Sequence, residues 1–370
     1  MRLASYNVEN LFERPAIMNL PSWDDGRDIL NRYAKLAKLL ESEAYTASIK
    51  EQILDTAEEL GIKGKPKSKY VELKEIRQKL FRRPQGKPVE VAAKGRGDWV
   101  GWVELVKETV KEAQVANTAR VIKDVDADVI GIVEAEHRSG LQSFNEQAIK
   151  SAGGKRYEHV MLIDGNDDRG IDVALMTRSA YPIDHMRSHV DDRDGASRIF
   201  SRDCPEYCLA LANGEKLWIL VNHLKSKGYG SAASSNARRK RQAQRVREIH
   251  DGLVARGEKL IAVLGDMNDT PDSDPLTPLT RNGSTLKDIF EWPQFDNGGR
   301  PGTHGNCTAS GKLDYIFLSP ALFGAITGAG VFRMGMWGGK NGDLWPRYEM
   351  DGPRDIASDH AAIWVDLAVG

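Results

Sequence analysis

The chain of 370 residues has 41% hydrophobic and 28% charged residues, the proportions of an ordinary globular protein, and a formal net charge of −1. Its length allows one large domain or two or three smaller ones. The near-neutral charge excludes a general attraction to nucleic acid, so any such binding must come from local patches.

Three cysteines, Cys204, Cys208 and Cys307, do not form an even disulfide framework, and free thiols are expected. No apolar run reaches membrane-spanning length, and the N-terminus has no charged-then-apolar leader. We therefore expect a soluble, cytoplasmic protein with no membrane partner, or a secreted one if a leader was removed.

The first third of the chain reads mostly as helix. A predicted strand at residues 3–8 is followed by helical spacing of apolar residues over 27–60 and 71–80, and by a long predicted helix over 98–123. Residues 63–87 contain ten Lys and Arg against two Glu, which gives this segment a charge of about +8.

Strands and helices alternate in the rest of the chain. Helices are predicted at residues 141–151 and 235–256. Strands are predicted as short apolar runs at 129–133, 157–163, 171–177, 197–200, 207–212, 216–221, 260–264, 313–318 and 361–367.

Polar side chains stand at or near the ends of many of these strands. A single one is ordinarily just the start of a loop. Ten acidic, amide and imidazole groups in such positions instead indicate an oxygen-ligand site for a hard divalent cation, with histidines available for proton transfer. They are Asn7, Glu9, Glu134, Asp172, His223, Asp266, Asn268, Asp314, Asp359 and His360.

The order of these motifs resembles the endonuclease/exonuclease/phosphatase superfamily. The motifs are Tyr6-Asn7-Val8-Glu9-Asn10, Val133-Glu134, Asn222-His223-Leu224-Lys225-Ser226, Gly265-Asp266-Met267-Asn268-Asp269, Leu313-Asp314-Tyr315 and Ser358-Asp359-His360. The resemblance implies an α/β fold, a four-layer sandwich of two packed mixed β-sheets flanked by helices. It assigns residues 1–18 and 115–370 to the catalytic domain and leaves 19–114 as a mostly helical insertion.

The resemblance also implies a metal site. Glu134 resembles the main metal-binding glutamate of the family, with Glu9, Asn7 and Asp359 close to the ion. Hard oxygen ligands suit Mg²⁺ or Mn²⁺, and Ca²⁺ stays open. The usual glutamine of the family is Val133 here, and Glu136, two residues beyond Glu134, is a rival ligand.

Catalytic roles follow from the same matching. Asp314 resembles the acid that holds and polarises His360, which acts as a general base or as an electrostatic contact to phosphate. Asp266 is expected to orient water or bind metal, while Asn268 and His223 hold phosphate oxygens. Further phosphate-binding candidates are Asn7, Arg169, Asp172 and Lys225, with Asp172 placed to pair with His223; the alternative for Arg169 and Asp172 is a charged turn.

Two features favour a polynucleotide substrate. The segments 201–207 and 222–230 resemble bacterial nuclease-like members of the superfamily. The predicted helix that follows carries a row of basic residues that can contact several phosphates, although a solvated basic face is the alternative. These residues are Arg238, Arg239, Lys240, Arg241 and Arg245.

The hypothesis from the sequence is a Mg²⁺- or Mn²⁺-dependent phosphodiesterase that cuts DNA as a non-specific endonuclease or exonuclease. One alternative is a phosphatase or phospholipase-type enzyme acting on inositol phosphates or sphingomyelin. Another is an inactive DNA-binding scaffold. The 19–114 insertion is either a DNA-binding lid over the cleft or an oligomerisation or stabilising element, and the oligomeric state stays undetermined.

Overall fold

The computed structural model describes residues 1–20, 23–167, 169–227 and 231–369. Asp168 and the 228–230 part of the nuclease-like segment lie outside the described residues. The chain divides into two compact units. The larger unit contains Met1–Phe12, Val110–Ser226 and Ala233–Gly370, and the smaller contains Glu13–Thr109 with Lys227–Ala232.

The larger unit is built on two six-stranded mixed sheets. The first sheet has the order Ile326–Phe332, Ala362–Leu367, Arg2–Asn7, Val129–Ala135, Asp172–Thr177, His159–Leu162. Its central strands Arg2–Asn7 and Val129–Ala135 are parallel, and its other neighbours are antiparallel. Parallel neighbours bring the carboxyl ends of two strands to one edge of the sheet.

The second sheet repeats this arrangement. Its order is Ile183–Arg187, Glu206–Ala210, Lys216–His223, Leu260–Asp266, Asp314–Leu318, Lys287–Asp288. Lys216–His223 and Leu260–Asp266 are parallel, and Asp314–Leu318 runs antiparallel to the latter. Gly265 has a φ of 126° and a Cβ there would overlap the Asn222 carbonyl oxygen, so only glycine allows this close strand contact.

Three hydrophobic cores define four layers. Leu3, Val133 and Leu175 of the first sheet pack against Ile219 and Leu264 of the second. The outer face of the first sheet is covered by the helix Glu112–Val125, and the outer face of the second by the helix Ala232–Ala255. The predicted α/β sandwich of two packed mixed sheets flanked by helices is therefore confirmed.

Short elements complete the larger unit. A small hairpin pairs Arg193–Asp194 with Ser197–Arg198. The remaining helical segments are Arg138–Ser143, a π-helix Phe144–Ile149, Thr277–Thr280, Pro320–Gly324, and the 3-10 turns Asp274–Leu276, Ile289–Glu291 and Ala309–Gly311.

The smaller unit has its own apolar core, which includes Leu36, Ile53, Leu73 and Trp99. Two helices, Trp23–Leu40 and Ala47–Glu59, follow its first strand, and Thr46 caps the second helix by accepting the Ile49 N–H. The strands are Glu13–Pro15, Val71–Arg77, Phe81–Arg82, Glu90–Val91, Val100–Leu105 and Lys107–Thr109, with 3-10 turns at Ala16–Asn19 and Arg96–Asp98.

The prediction of a mostly helical insertion is wrong in its second half. Residues 71–80, predicted as helix, form the strand Val71–Arg77 paired with Val100–Leu105. Burial alternates along the second strand, with Val103 and Leu105 inside and Trp102 outside, which is the period of a strand. The predicted helix 98–123 is therefore split, and only Glu112–Val125 is helical.

No helix in the described part of the chain is long and apolar enough to span a bilayer.

Candidate active site

The strand ends of both sheets bring the predicted residues together. Asn7 ends a strand that lies beside Val129–Ala135, which carries Glu134. In the second sheet, His223 lies opposite Asp266, and Asp266 lies opposite Asp314. Because the two sheets pack face to face, these side chains form one group at the same edge of the sandwich.

Asp266 is the most connected member of this group. Its Oδ2 accepts hydrogen bonds from Asn7 Nδ2 and Asn268 Nδ2, each at 3.2 Å, and its Oδ1 accepts the Asn268 N–H at 2.8 Å. Asn268 Nδ2 also donates to the Leu224 carbonyl at 3.1 Å. The two amides therefore orient Asp266, and Asn268 must give up one of these bonds before it can donate to a phosphate.

Asp314 and His360 form a buried hydrogen-bonded pair. His360 Nδ1 lies 2.8 Å from Asp314 Oδ2, which also accepts the Thr303 hydroxyl at 2.6 Å. A carboxylate can only accept, so His360 Nδ1 carries a proton and Nε2 faces the site. His360 Nε2 lies 4.0 Å from Asp266 Oδ2.

The 358–360 segment is tied to the first strand. The Ser358 hydroxyl donates to the Asn7 carbonyl at 2.7 Å, and the Asp359 N–H donates to Glu9 Oε2 at 2.9 Å. The Ser358 hydroxyl oxygen also accepts the His360 N–H at 2.9 Å. These bonds place Asp359 and His360 beside Asn7 and Glu9, although they are about 350 residues apart in sequence.

The choice between Glu134 and Glu136 is decided by their contacts. Glu134 Oε1 lies 3.7 Å from His223 Nε2, which in turn lies 3.6 Å from Asp266 Oδ2. Glu136 Oε1 instead accepts the Phe12 N–H at 2.8 Å and anchors the chain after the first strand. Glu134 is thus the glutamate that faces the site.

The backbone is left-handed at three predicted site residues. Glu9, Glu134 and Asn268 have φ values of 52°, 69° and 54°. A non-glycine residue in this region costs about 1–3 kcal/mol and persists where surrounding contacts enforce it. Such positions cluster at functional sites, which supports a functional role for this edge of the sandwich.

Together, burial and neighbouring charges raise the pKa values of both Asp266 and His360. Burial, with smaller contributions from Asp314 and Glu134, raises the pKa of Asp266 to about 7 against the opposing effects of His360 and the Asn268 N–H. Burial by itself lowers the pKa of His360, but Asp314, Asp359 and Asp266 outweigh it and hold that pKa well above its ordinary value. His360 is therefore an imidazolium that faces carboxylates.

A group of cations beside His223 includes a residue that the sequence did not indicate. Arg202 is buried, its Nε lies 2.8 Å from Asp167 Oδ2, and its Nη2 has no hydrogen-bond partner among the described residues. Arg169 also binds Asp167, with both Nε and Nη2 at 2.9 Å. Burial and the charges of Arg202 and Arg169 lower the pKa of His223 well below its ordinary value, so this imidazole is neutral.

Lys225 belongs to the same cationic group. Burial, followed by the charges of Arg202, Arg169 and Arg238, lowers the pKa of Lys225 to about 7. A bound anion would reverse this shift, so the group of Arg169, Arg202 and Lys225 is suited to phosphate. The motif Ser201-Arg202-Asp203 was visible in the sequence, but nothing there showed that Arg202 would be buried.

Asp172 does not pair with His223 as predicted. Its Oδ1 accepts the Gly165 N–H at 2.7 Å, whereas His223 Nε2 faces Glu134 and Asp266 and His223 Nδ1 has no hydrogen-bond partner among the described residues. Asp172 is at the buried start of its strand, where it lies opposite Ala135 rather than the second sheet. Burial raises the pKa of Asp172 to about 7.

One residue of the predicted basic patch, Arg239, does not lie on the exposed surface of the helix. Arg239 is fully buried and binds Asp269 through Nε at 2.9 Å and the Lys225 carbonyl through Nη1, so it cannot contact nucleic acid. The other side chains are largely paired within the protein. Lys240 binds Asp274, Arg241 binds Asp194 and Glu248, and Arg245 binds Asp192 and Glu248, while Arg238 is exposed.

Two further residues of the site were missed, Thr303 and His304. They lie in the irregular segment before Asp314–Leu318, where no strand pattern marks them. Thr303 holds Asp314 through its hydroxyl, and His304 Nε2 lies 3.2 Å from Asp359 Oδ2. The sequence signal that could have identified them is Thr303-His304-Gly305, which lies before the predicted strand at 313–318.

The residues of the site fit a divalent cation. Two groups have ligand atoms that all lie within 4.8 Å of one another, namely Asp266, Asp314 and His360, and His304, Asp359 and His360. The buried Asp314 Oδ1 has no hydrogen-bond partner among the described residues, as expected of an oxygen that binds a cation. Glu9 and Glu134 belong to neither group, so the tightest clusters are centred on His360.

Two packed mixed sheets that carry an acid–histidine pair and several carboxylates at one edge are an arrangement suited to hydrolysis. The family model described as the Endonuclease/Exonuclease/phosphatase family matches residues 96–289, slightly more than half of the chain. The chain belongs to this family.

Solved structures with a similar fold come from several organisms. The endonuclease/exonuclease/phosphatase from Bacteroides vulgatus is 17% identical with a TM-score of 0.48, over 70% of this chain and 91% of that chain. The human Nocturnin catalytic domain is 17% identical with a TM-score of 0.49, over 71% and 89%. A Bacteroides thetaiotaomicron mannosyl-6-phosphatase is 17% identical with a TM-score of 0.48, over 69% and 90%.

No curated protein matches the chain.

Proposed function

We propose that the protein is a divalent-metal-dependent phosphodiesterase that hydrolyses nucleic-acid phosphodiester bonds, with DNA as substrate and without sequence specificity. The observation that carries this proposal is the buried Asp314–His360 pair, 2.8 Å apart, beside the amide-oriented Asp266. Phosphodiester hydrolysis needs an activated water and compensation of negative charge on phosphorus, and this arrangement offers both.

We assign Asp266 as the general base that activates the attacking water. Its raised pKa, about 7, matches the requirement of a general base at neutral pH. Asn7 and Asn268 hold the carboxylate in one orientation through hydrogen bonds to both of its oxygens. His360, held as an imidazolium by Asp314, takes the electrostatic role toward a phosphate oxygen.

The neutral His223 and the cations beside it are assigned to substrate phosphate. Arg202, Arg169 and Lys225 lie close enough to His223 or to one another to shift pKa values, and they oppose the negative charge of a phosphate next to the scissile one. Bound Mg²⁺ or Mn²⁺, held by Glu134, Glu9, Asn7 and Asp359, would supply Lewis-acid stabilisation of the phosphate charge.

The test is cleavage of supercoiled plasmid, of linear single- and double-stranded DNA, and of RNA, each with Mg²⁺, Mn²⁺ or Ca²⁺. We expect metal-dependent shortening of DNA, and the product lengths separate endonuclease from exonuclease action. DNA binding without cleavage under all three metals would instead identify an inactive scaffold and overturn the proposal.

A phosphomonoesterase is the second candidate, because the buried Arg202 and the partly buried Arg169 suit the additional charge of a terminal phosphate. Parallel assays with bis(p-nitrophenyl) phosphate and p-nitrophenyl phosphate distinguish the two. Faster release of nitrophenol from the diester supports the phosphodiesterase, and faster release from the monoester supports the phosphatase. Inositol phosphates and sphingomyelin can be compared in the same way.

A further inference from the structure

His304 is fixed opposite His360 by backbone pairing. The two residues form an antiparallel bridge, in which the Ala361 N–H donates to the Thr303 carbonyl at 2.7 Å and the Gly305 N–H to the Asp359 carbonyl at 2.9 Å. Thr303, immediately before His304, holds Asp314. His304 is therefore part of the same rigid framework as the Asp314–His360 pair.

The side chains on this framework surround one point. His304 Nε2 lies 3.2 Å from Asp359 Oδ2, and His360 Nε2 lies 3.8 Å from Asp359 Oδ1. The two imidazole rings are 4.7 Å apart between centroids and tilted by 55°. Neighbouring ligand atoms around a cation with bonds of about 2.1 Å are about 3.0–3.5 Å apart, so these three side chains need only small movements to share one ion.

The contacts behind His360 are those of a metal-bound histidine. His360 Nδ1 donates to Asp314, so Nε2 is the ring nitrogen that faces the cluster and becomes a ligand when an ion displaces its proton. A carboxylate behind a histidine is the usual partner of a metal ligand. The side chains of His304 and Asp359 are each 39% exposed, so an ion and its remaining water ligands can enter from solvent.

We propose that His304, Asp359 and His360 form a binding site for a borderline transition-metal ion such as Zn²⁺. This site shares Asp359 with the proposed Mg²⁺ site but uses the two imidazoles in place of Glu134, Glu9 and Asn7. Two imidazoles and one carboxylate favour Zn²⁺, Co²⁺ or Ni²⁺ over Mg²⁺, which prefers oxygen ligands. An ion at this site occupies His360 Nε2 and removes it from contact with phosphate. Zn²⁺ therefore inhibits Mg²⁺-dependent turnover, a consequence that rests on the proposed function, whereas the binding itself does not.

The experiment is a Co²⁺ titration of the full chain in excess Mg²⁺, followed by visible d–d absorption, with Zn²⁺ affinity measured by calorimetry. We expect one Co²⁺ with imidazole ligation in the wild type. His304→Ala should weaken binding at least about tenfold. His304→Phe, which keeps the ring packing without a ligand atom, should do the same, and circular dichroism establishes that both variants fold.

A matched control is His185→Ala. Asp184, His185 and Cys208 form the third cluster of potential ligand atoms within 4.8 Å, and removal of His185 should leave the Co²⁺ affinity unchanged. Unaltered affinity in both His304 variants, or a loss caused by His185→Ala instead, would overturn the site. Because the readout is binding, a protein that fails to cleave any phosphodiester can still support this proposal, and an active one can still refute it.

Discussion

At the scale of single residues, the protonation of His360 depends on Asp314. Asp314→Asn replaces the acceptor of the His360 Nδ1–H by an amide that can also donate. This weakens the orientation of the imidazole and removes the main carboxylate that stabilises its positive charge. We predict that turnover of bis(p-nitrophenyl) phosphate falls by about 10²–10⁴-fold. The measurement is kcat for the purified variant, with circular dichroism as the folding control; wild-type kcat would contradict the assigned role.

Asp172 gives a prediction about stability and pH. Its pKa is raised to about 7 in the folded chain from 3.8, so the folded state holds a proton that the unfolded chain releases between these values. The stabilisation from this group is complete below pH 4 and is lost as pH rises through 7. Asn accepts the Gly165 N–H equally well but carries no charge.

We therefore predict that Asp172→Asn gains stability relative to the wild type as pH rises from 4 to 8, by about 2–4 kcal/mol. Urea unfolding at both pH values measures this difference. Asp272→Asn, at a side chain that is 91% exposed, is the control and should show no such trend. Parallel pH profiles for wild type and Asp172→Asn would refute the prediction.

The lowered pKa of Lys225 makes it a reactive amine. At pH 7.5 most of this side chain is neutral, and the neutral amine is the nucleophile. We predict that an acylating reagent modifies Lys225 before the exposed Lys240, and that inorganic phosphate protects Lys225 by restoring its charge. Peptide mapping by mass spectrometry gives both rates, and equal labelling of the two lysines would be inconsistent with this environment.

At the scale of elements, the helix Ala232–Ala255 supports the site through Arg239. Arg239 joins Asp269, which follows Asp266, to the Lys225 carbonyl after His223. Removing one partner of a buried ion pair leaves the other charge unpaired, at a cost of about 3–5 kcal/mol.

We predict this loss of unfolding free energy for Arg239→Met, and less than about 1 kcal/mol for the exposed pair broken by Lys240→Ala. The double variant Arg239→Met, Asp269→Asn should recover part of the loss because no unpaired charge remains. Chemical denaturation measures all three. If Arg239→Met instead unfolds like the wild type and weakens DNA binding, the result would support Arg239 as part of a nucleic-acid-binding patch.

The elements that the sequence predicted well are those whose apolar runs coincide with buried strands. Residues 129–133 and 260–264 were recognised because nearly every side chain in them is apolar, and both strands are buried on two faces. Val71–Arg77 was missed because its alternation is interrupted by charged residues at helical spacing. The burial of Arg239 could not be predicted, because it depends on contacts with Asp269 and the Lys225 carbonyl that the sequence of the helix does not show.

At the scale of the whole molecule, the smaller unit is inserted between two neighbouring points of the larger one. The Val110 N–H donates to the Phe12 carbonyl at 2.8 Å. These two residues of the larger unit, which flank residues 13–109 in the sequence, are therefore adjacent in space. Each unit has its own apolar core. A few glycines can therefore close the gap at a small entropic cost.

We predict that a chain with residues 13–109 replaced by a short Gly-Ser linker folds and keeps the Asp314–His360 pair. Thermal unfolding and hydrolysis of bis(p-nitrophenyl) phosphate test this. A selective rise in KM for DNA would support the lid hypothesis, whereas lower thermal stability with unchanged KM would support a stabilising element. Failure to fold would show that the larger unit depends on the insertion.

The sheet order was beyond the reach of sequence analysis. The order of the motifs identified the family and most candidate site residues, because each motif is a short segment at a strand end and can be recognised locally. Which strands are neighbours depends on contacts between distant segments, such as Ser358 with Asn7 and Thr303 with Asp314. His304 was missed for the same reason, since its importance arises only from pairing with His360.

The pairing of Arg2–Asn7 with Ala362–Leu367 has a consequence for biosynthesis. These strands are neighbours inside the first sheet although nearly the whole described chain separates them. Asp359 and His360 can join Asn7 and Glu9 only after the roughly 350 residues between them have been made. During translation the nascent chain therefore carries an incomplete site, and hydrolytic activity can arise only once synthesis has passed these residues and the sheet has closed.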